Sequence, residues 1–206
     1  MKTNSVVRGL LLTISLIAMC ALALAQDKLS DEEKAKKAAA SRAIGGPGPE
    51  HKQLEALVGV WDHEVKVWPA PGAPKPITIK GRSENRMILG GRFLVSESKG
   101  GTGGMAIETM SIYGFDRRSK RFTVVAYDST GTYYVSAAGA FNEQEKAIVM
   151  SGEDYDPVFG GTQTYNMILR TVSPDSYVVE VVFTDPVHTQ GKGPYKAVEI
   201  TNTRVK

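Results

Sequence analysis

Few residues of this chain could do chemistry. The three histidines, His51, His63 and His188, fall on three separate segments, and the one cysteine, Cys20, lies in an apolar N-terminal run. His63-Glu64 is half of the zinc-protease motif without its second histidine, and it sits in an alternating run that predicts a strand, so no metal site is expected there. Gly100-Gly-Thr-Gly-Gly104 has no following Lys-Ser/Thr and joins two strands, which makes it a loose loop and not a phosphate cradle. Glu153-Asp-Tyr-Asp156 lacks the spaced oxygens and the glycine of a calcium loop. No Gly-x-Ser-x-Gly elbow occurs, and three scattered histidines leave a nucleophilic triad almost without candidates. What remains are polar residues set in otherwise apolar alternation: His63, Asn85, Glu108, Tyr165 and Arg204. Such a set supports one of two chemistries. It could orient a small ligand by hydrogen bonds, or it could transfer protons, with Glu108 as acid or base and His63 or Arg204 tuning it.

Positioning those residues falls to a succession of strands. From Leu57 onward the hydrophobic pattern has period two, broken by Gly, Pro, Asp and Asn every ten or so residues. Ten strands are predicted: Leu57 to Trp68, Ile77 to Ile88, Arg92 to Ser98, Met105 to Phe115, Arg121 to Asp128, Thr132 to Phe141, Ala147 to Tyr155, Thr162 to Val172, Tyr177 to Thr184 and Tyr195 to Val205. Short connectors rich in turn residues make consecutive strands antiparallel neighbours. Ten such strands leave two reactive edges unless the sheet closes, so the expected fold is an all-β, ten-stranded antiparallel up-and-down barrel. Leu54 and Leu57, at helical spacing, predict one short helix leading into it.

Strand alternation assigns faces. In the second strand Ile77, Ile79, Gly81, Ser83, Asn85 and Met87 face inward, with Thr78, Lys80, Arg82, Glu84 and Arg86 outside. The same rule groups Trp61 with His63, Val65 and Val67; Glu108 with Met110 and Ile112; Tyr165 with Met167 and Leu169; and Arg204 with Val198 and Ile200. The lumen is then apolar with polar insertions. A ten-stranded barrel is too wide for side chains to fill, which points to a cavity for a small apolar or amphipathic, partly polar molecule or for ordered water. Glu108, if inside, would need a cation or a proton, because an unpaired buried charge is costly. His188, in the loop Asp185 to Pro194, is expected to be exposed at the barrel mouth.

Residues 1–25 read as a secretory signal, with Lys2 and Arg8 before an apolar run and Ala23-Leu24-Ala25 as the cleavage site. Cleavage there removes Cys20 and leaves a periplasmic or secreted chain without a thiol. The 25 basic and 22 acidic residues lose only Lys2 and Arg8 with it, so the remainder is nearly neutral. That balance offers no footprint for nucleic acid, and no later segment is apolar enough for a transmembrane span. Residues 26–49 read as a flexible polar linker whose Lys, Glu and Ala could form a solvated helix. Residues 50–206 are the barrel domain.

The opening Gly59-Val-Trp61 resembles the Gly-x-Trp signature of the calycin barrels: lipocalins, fatty-acid-binding proteins and haem-binding nitrobindins. The run Gly59 to Trp68 resembles more closely a bacterial family of uncharacterised proteins, domain of unknown function 1579. So do Pro71-Gly-Ala-Pro74, Glu84 to Leu94, Tyr113-Gly-Phe-Asp116 and Asp128-Ser-Thr-Gly-Thr132. This resemblance implies a lipocalin-like fold, in which Gly59 and Trp61 plug one end and Arg204 packs on the indole. No cofactor is predicted. The nitrobindin likeness offers haem as an alternative, with His188 as its axial ligand.

Overall fold

The computed structural model describes residues 30–157 and 160–206. The signal segment expected at residues 1–25 lies outside the described residues. The chain divides into two units, one ending at Gly46 and one running from Pro47 to Lys206. Within the first, helix α1 spans Asp31–Gly45. Ser30 caps it by accepting from the Glu33 amide, and the Glu33 carboxylate accepts from the Ser30 amide in return. This reciprocal cap satisfies two donors that a helix start leaves unpaired. No residue of α1 is buried.

The second unit is the barrel. A short helix α2, His51–Glu55, precedes ten strands: β1 Gly59–Val67, β2 Ile77–Ile88, β3 Phe93–Gly100, β4 Ile107–Asp116, β5 Arg121–Asp128, β6 Val135–Asn142, β7 Ala147–Asp156, β8 Gly161–Ser173, β9 Ser176–Phe183 and β10 Tyr195–Arg204. Each strand pairs antiparallel with its sequence neighbours, and β1 closes on β10, so the sheet has no edge. All ten predicted strands are present. The sixth starts at Val135 and not at Thr132, since Tyr133 and Tyr134 belong to the preceding loop and are exposed.

The two ends of the barrel differ. Where β1 begins, Leu54 and Leu57 drop onto a core of Trp61, Leu94, Phe122, Ile148, Met150, Leu169 and Tyr177, all at most 5 % exposed. Burying each such aliphatic side chain stabilises the fold by about 1.5–3 kcal/mol. Gly59 stands at φ +136°, and a Cβ there would lie 2.5 Å from Arg204 Nη1. Both conditions require glycine. The carbonyls that end α2 are also satisfied: Arg204 donates to Ala56 O at 2.9 Å and to Val58 O at 2.7 Å, while Trp61 Nε1 and Asn85 Nδ2 both donate to Leu57 O. At the opposite end the inward-facing Val65, Val67, Ile79, Ile107, Ala126, Val181, Val198 and Ile200 are only half-buried. The barrel is thus densely packed at the Trp61 end and more loosely packed at the other, its mouth.

Candidate functional site

The lumen has an uneven lining. One wall is small and polar: Gly81 and Ser83 on β2, Ser96, Ser98 and Gly100 on β3, Thr109 and Ser111 on β4. Cross-strand register places all of them at inward positions. Ser98 Oγ and Thr109 Oγ1 satisfy each other at 2.9 Å. The facing wall, from β8 to β10, carries Tyr165, Val179, Val181, Phe183 and Ile200.

His63 stands on the polar wall. It is 8 % exposed, and its ring lies over two glycines: a Cβ at Gly81 would sit 2.5 Å from Nε2, and one at Gly100 would sit 3.3 Å from it. Burial holds its pKa below the ordinary value, against a smaller upward pull from Asp62, so the imidazole is neutral at pH 7. Among the described residues neither ring nitrogen has a hydrogen-bond partner, yet neither is sealed off from the lumen. Below it, Ser83 Oγ and Asn85 Oδ1 are fully buried without a hydrogen bond of acceptable geometry, although Asn85 Nδ2 reaches the Tyr177 hydroxyl at 3.1 Å. Both residues crowd the Tyr177 hydroxyl at the floor of the barrel, where they are 2–4 % exposed. Across the lumen the Tyr165 ring covers Gly152, and its hydroxyl donates to Ser136 O at 3.0 Å. Burial raises the pKa of Tyr165, Tyr177 and Tyr113, which stay neutral.

His63, Asn85 and Tyr165 therefore lie at inward positions, as the alternation placed them. Two other expectations need correction. Glu108 points outward: it pairs in register with Lys99, and its carboxylate accepts from Lys99 Nζ at 2.9 Å on the outer wall. The inward residues of β4 are instead Ile107, Thr109, Ser111, Tyr113 and Phe115. With its side chain 65 % exposed, Glu108 lines an open external groove of about 840 Å³ shared with Arg82, Glu97 and Tyr127. It cannot serve as a lumenal acid or base. Glu108→Gln is accordingly expected to change unfolding free energy by less than about 1 kcal/mol, as for other exposed pairs. The same variant should leave ligand affinity unaltered in a titration; a tenfold loss would return Glu108 to the site. Arg204 lies at an inward register position but beneath the plug, with its guanidinium carbon 4.1 Å from the centre of the Trp61 ring. Its donors go to Ala56, Val58 and Pro174 carbonyls, so it closes the floor and offers nothing to the lumen.

The third correction is at the mouth. His188 is not exposed: its side chain is 10 % accessible, stacked on Phe183 at 4.7 Å, with Nδ1 2.9 Å from Asp185 Oδ1 and Nε2 3.1 Å from Asp156 Oδ2. These are hydrogen-bond lengths, and they tie the β9–β10 loop to the end of β7. With both ring nitrogens held by carboxylates, His188 does not fit the axial-ligand role. Burial alone would lower its pKa, but the two carboxylates outweigh that and raise it. Asp185 in turn accepts from the Val187, His188 and Thr164 amides. Burial would raise its pKa, but the amide and ring of His188 and the Thr164 amide outweigh that and lower it. The local half of this clamp was legible as Asp185-Pro-Val-His188, an Asp placed to cap its own turn. Nothing in the sequence joins Asp156 to it across 32 positions.

Among the described residues no helix is long and apolar enough to cross a membrane. In fold the chain is similar to the S-type phycobiliprotein lyase CPES from Guillardia theta, with a TM-score of 0.50 at 11 % identity, covering 80 % of this chain and 97 % of that one. At that identity the likeness speaks to the barrel alone. No curated protein matches the sequence. A family model does match it over residues 46–204, the whole of the barrel and its leading helix, and by that match the chain belongs to the family described as protein of unknown function DUF1579.

Proposed function

We propose that the barrel binds a small, partly polar molecule in its lumen, the apolar body against Val179, Val181 and Ile200 and a hydrogen-bonding group against His63. The observation that carries this reading is His63 itself. A neutral imidazole that is nine-tenths buried, wedged over Gly81 and Gly100 and without a hydrogen-bond partner leaves polar capacity unused at an inward position of the barrel. A core histidine kept for packing would have found a backbone or hydroxyl partner, as His51 does by accepting from the Gly48 amide at 3.0 Å. Export through the segment at residues 1–25 belongs to the same reading and sets the ligand outside the cytoplasm.

The test is native mass spectrometry of the purified barrel for a co-purifying small molecule, followed by titration with a neutral amphiphilic fluorophore. Binding is expected to shift the imidazole resonances of His63 and not those of His51. His63→Phe, which keeps the ring volume and removes the nitrogens, should weaken binding about tenfold, the loss of one hydrogen bond of about 1.4 kcal/mol. Undiminished binding by that variant, or no binding by the wild type, would sink the reading.

A further inference from the structure

Resting on the lumenal reading above, we infer that the lumen selects by charge, admitting neutral and cationic amphiphiles and rejecting those with a carboxylate or phosphate head. The inference comes from which charged residues the register turns inward. Among the described residues, Lys66, Lys80, Arg82, Arg86, Lys99, Arg121, Arg170 and Lys196 sit at outward positions. Most are matched there to carboxylates: Glu64 and Glu199 with Lys66, Asp62 with Arg82, Glu97 with Arg86, Glu108 with Lys99, Glu180 with Arg170 and Lys196. The one cation at an inward position is Arg204, below the Trp61 plug with its donors committed.

Inward carboxylates do occur, and among the described residues they stand at the mouth. Asp128 ends β5 opposite Thr109, while Asp154 and Asp156 end β7 opposite Gln163 and Gly161. Asp128 accepts from the Thr130 amide and hydroxyl, and Asp154 accepts from Gln163 Nε2. None of these donors is charged. The exposed lysines of the mouth, Lys75 and Lys192, belong to loops and not to the inward faces of the strands. An entering anion would thus pass the Asp128 and Asp154 carboxylates and then find only hydroxyls, amides and the neutral His63 to replace its water. Uncompensated desolvation of a charge is the dearest step available to a ligand here. A cationic head resting at the mouth meets the opposite sign. An acidic rim alone would not establish a site. His63, buried, unpartnered and turned to the lumen behind that rim, supplies the second, independent sign of a ligand.

The experiment is displacement of a neutral naphthylamine fluorophore by three probes of equal chain length, decylamine, decanol and decanoate, at pH 7.5 and matched ionic strength. The amine and the alcohol are expected to compete, and decanoate to bind at least tenfold more weakly than decanol. In a variant carrying Asp128→Asn and Asp154→Asn, checked for native circular dichroism, the gap between amine and carboxylate should narrow severalfold. Decanoate binding as tightly as decanol would overturn the charge selection while leaving lumenal binding intact. A gap that persists unchanged in the double variant would overturn the assignment to these carboxylates. Failure of the fluorophore itself to bind would remove the lumenal reading, and this inference with it.

Discussion

Replacing Trp61 by alanine is expected to lower the unfolding free energy by about 3–5 kcal/mol, the range for deleting a buried indole. The side chain is 1 % exposed and fills the closed end of the barrel. It meets Tyr177 edge-on at 4.7 Å, donates to Leu57 O at 2.8 Å and carries the Arg204 guanidinium on its other face. Truncation leaves a cavity between α2 and the first turn of β1, and it strips the stacking surface from an arginine that also holds the carbonyls of Ala56 and Val58. Trp61→Phe separates these terms. It keeps most of the volume, loses the indole N–H, and should cost about 1–3 kcal/mol, because Leu57 O retains the Asn85 amide. Guanidinium unfolding followed by circular dichroism reads both variants. A cost for Trp61→Ala below about 1.5 kcal/mol would mean that the indole does not plug the barrel.

The same contacts show what the sequence could and could not disclose. Strand number and the faces of β2 were legible because outside β2 carries Lys80, Arg82, Glu84 and Arg86, whereas inside it carries Ile79, Gly81, Ser83 and Asn85. One side can be wet and the other cannot. On β4 the rule pointed the wrong way. Its outward positions include Met110 and Ile112, while Thr109 and Ser111 face inward, so hydrophobicity put the wrong set in the lumen and took Glu108 with it. The misassigned face is the polar wall of the candidate site, where function replaces apolar packing and local pattern fails. Pairing would have corrected it: Lys99 lies directly opposite Glu108, and an opposite-charge pair across neighbouring antiparallel strands belongs on the wet face. Arg204 was legible through its likeness to the calycin arginine, but its depth below Trp61 depends on the barrel's closure. The His188 clamp depends on a loop folding back across two strand ends, which no periodicity encodes.

That clamp carries the second large effect. His188→Ala is expected to destabilise the barrel by about 3 kcal/mol, because it removes the bridge between the nearly buried Asp185 and Asp156 carboxylates and the cation that faces Asp185. Asp185 keeps its Thr164 and Val187 amides, which holds the cost near the lower end for a broken buried pair. The pH dependence follows from the direction of each shift. His188 has its folded pKa raised above the ordinary 6.5, so its contribution is complete below about 6.5 and is lost as pH rises through the higher folded value. Asp185 has its folded pKa lowered below 3.8, so its contribution is present above about 3.8 and is lost as pH falls through the depressed value. The chemistry agrees with the sign. Imidazolium has an N–H for each carboxylate, whereas neutral imidazole has one, and it turns a lone pair toward whichever acid is left. The stability difference between wild type and His188→Ala, measured by denaturant unfolding from pH 4 to 9, should therefore be largest between pH 4 and 6.5 and shrink above it. A difference that stays constant across that range, or grows toward pH 9, would show that the ring acts by packing on Phe183 and not as a charged bridge between the β9–β10 loop and β7.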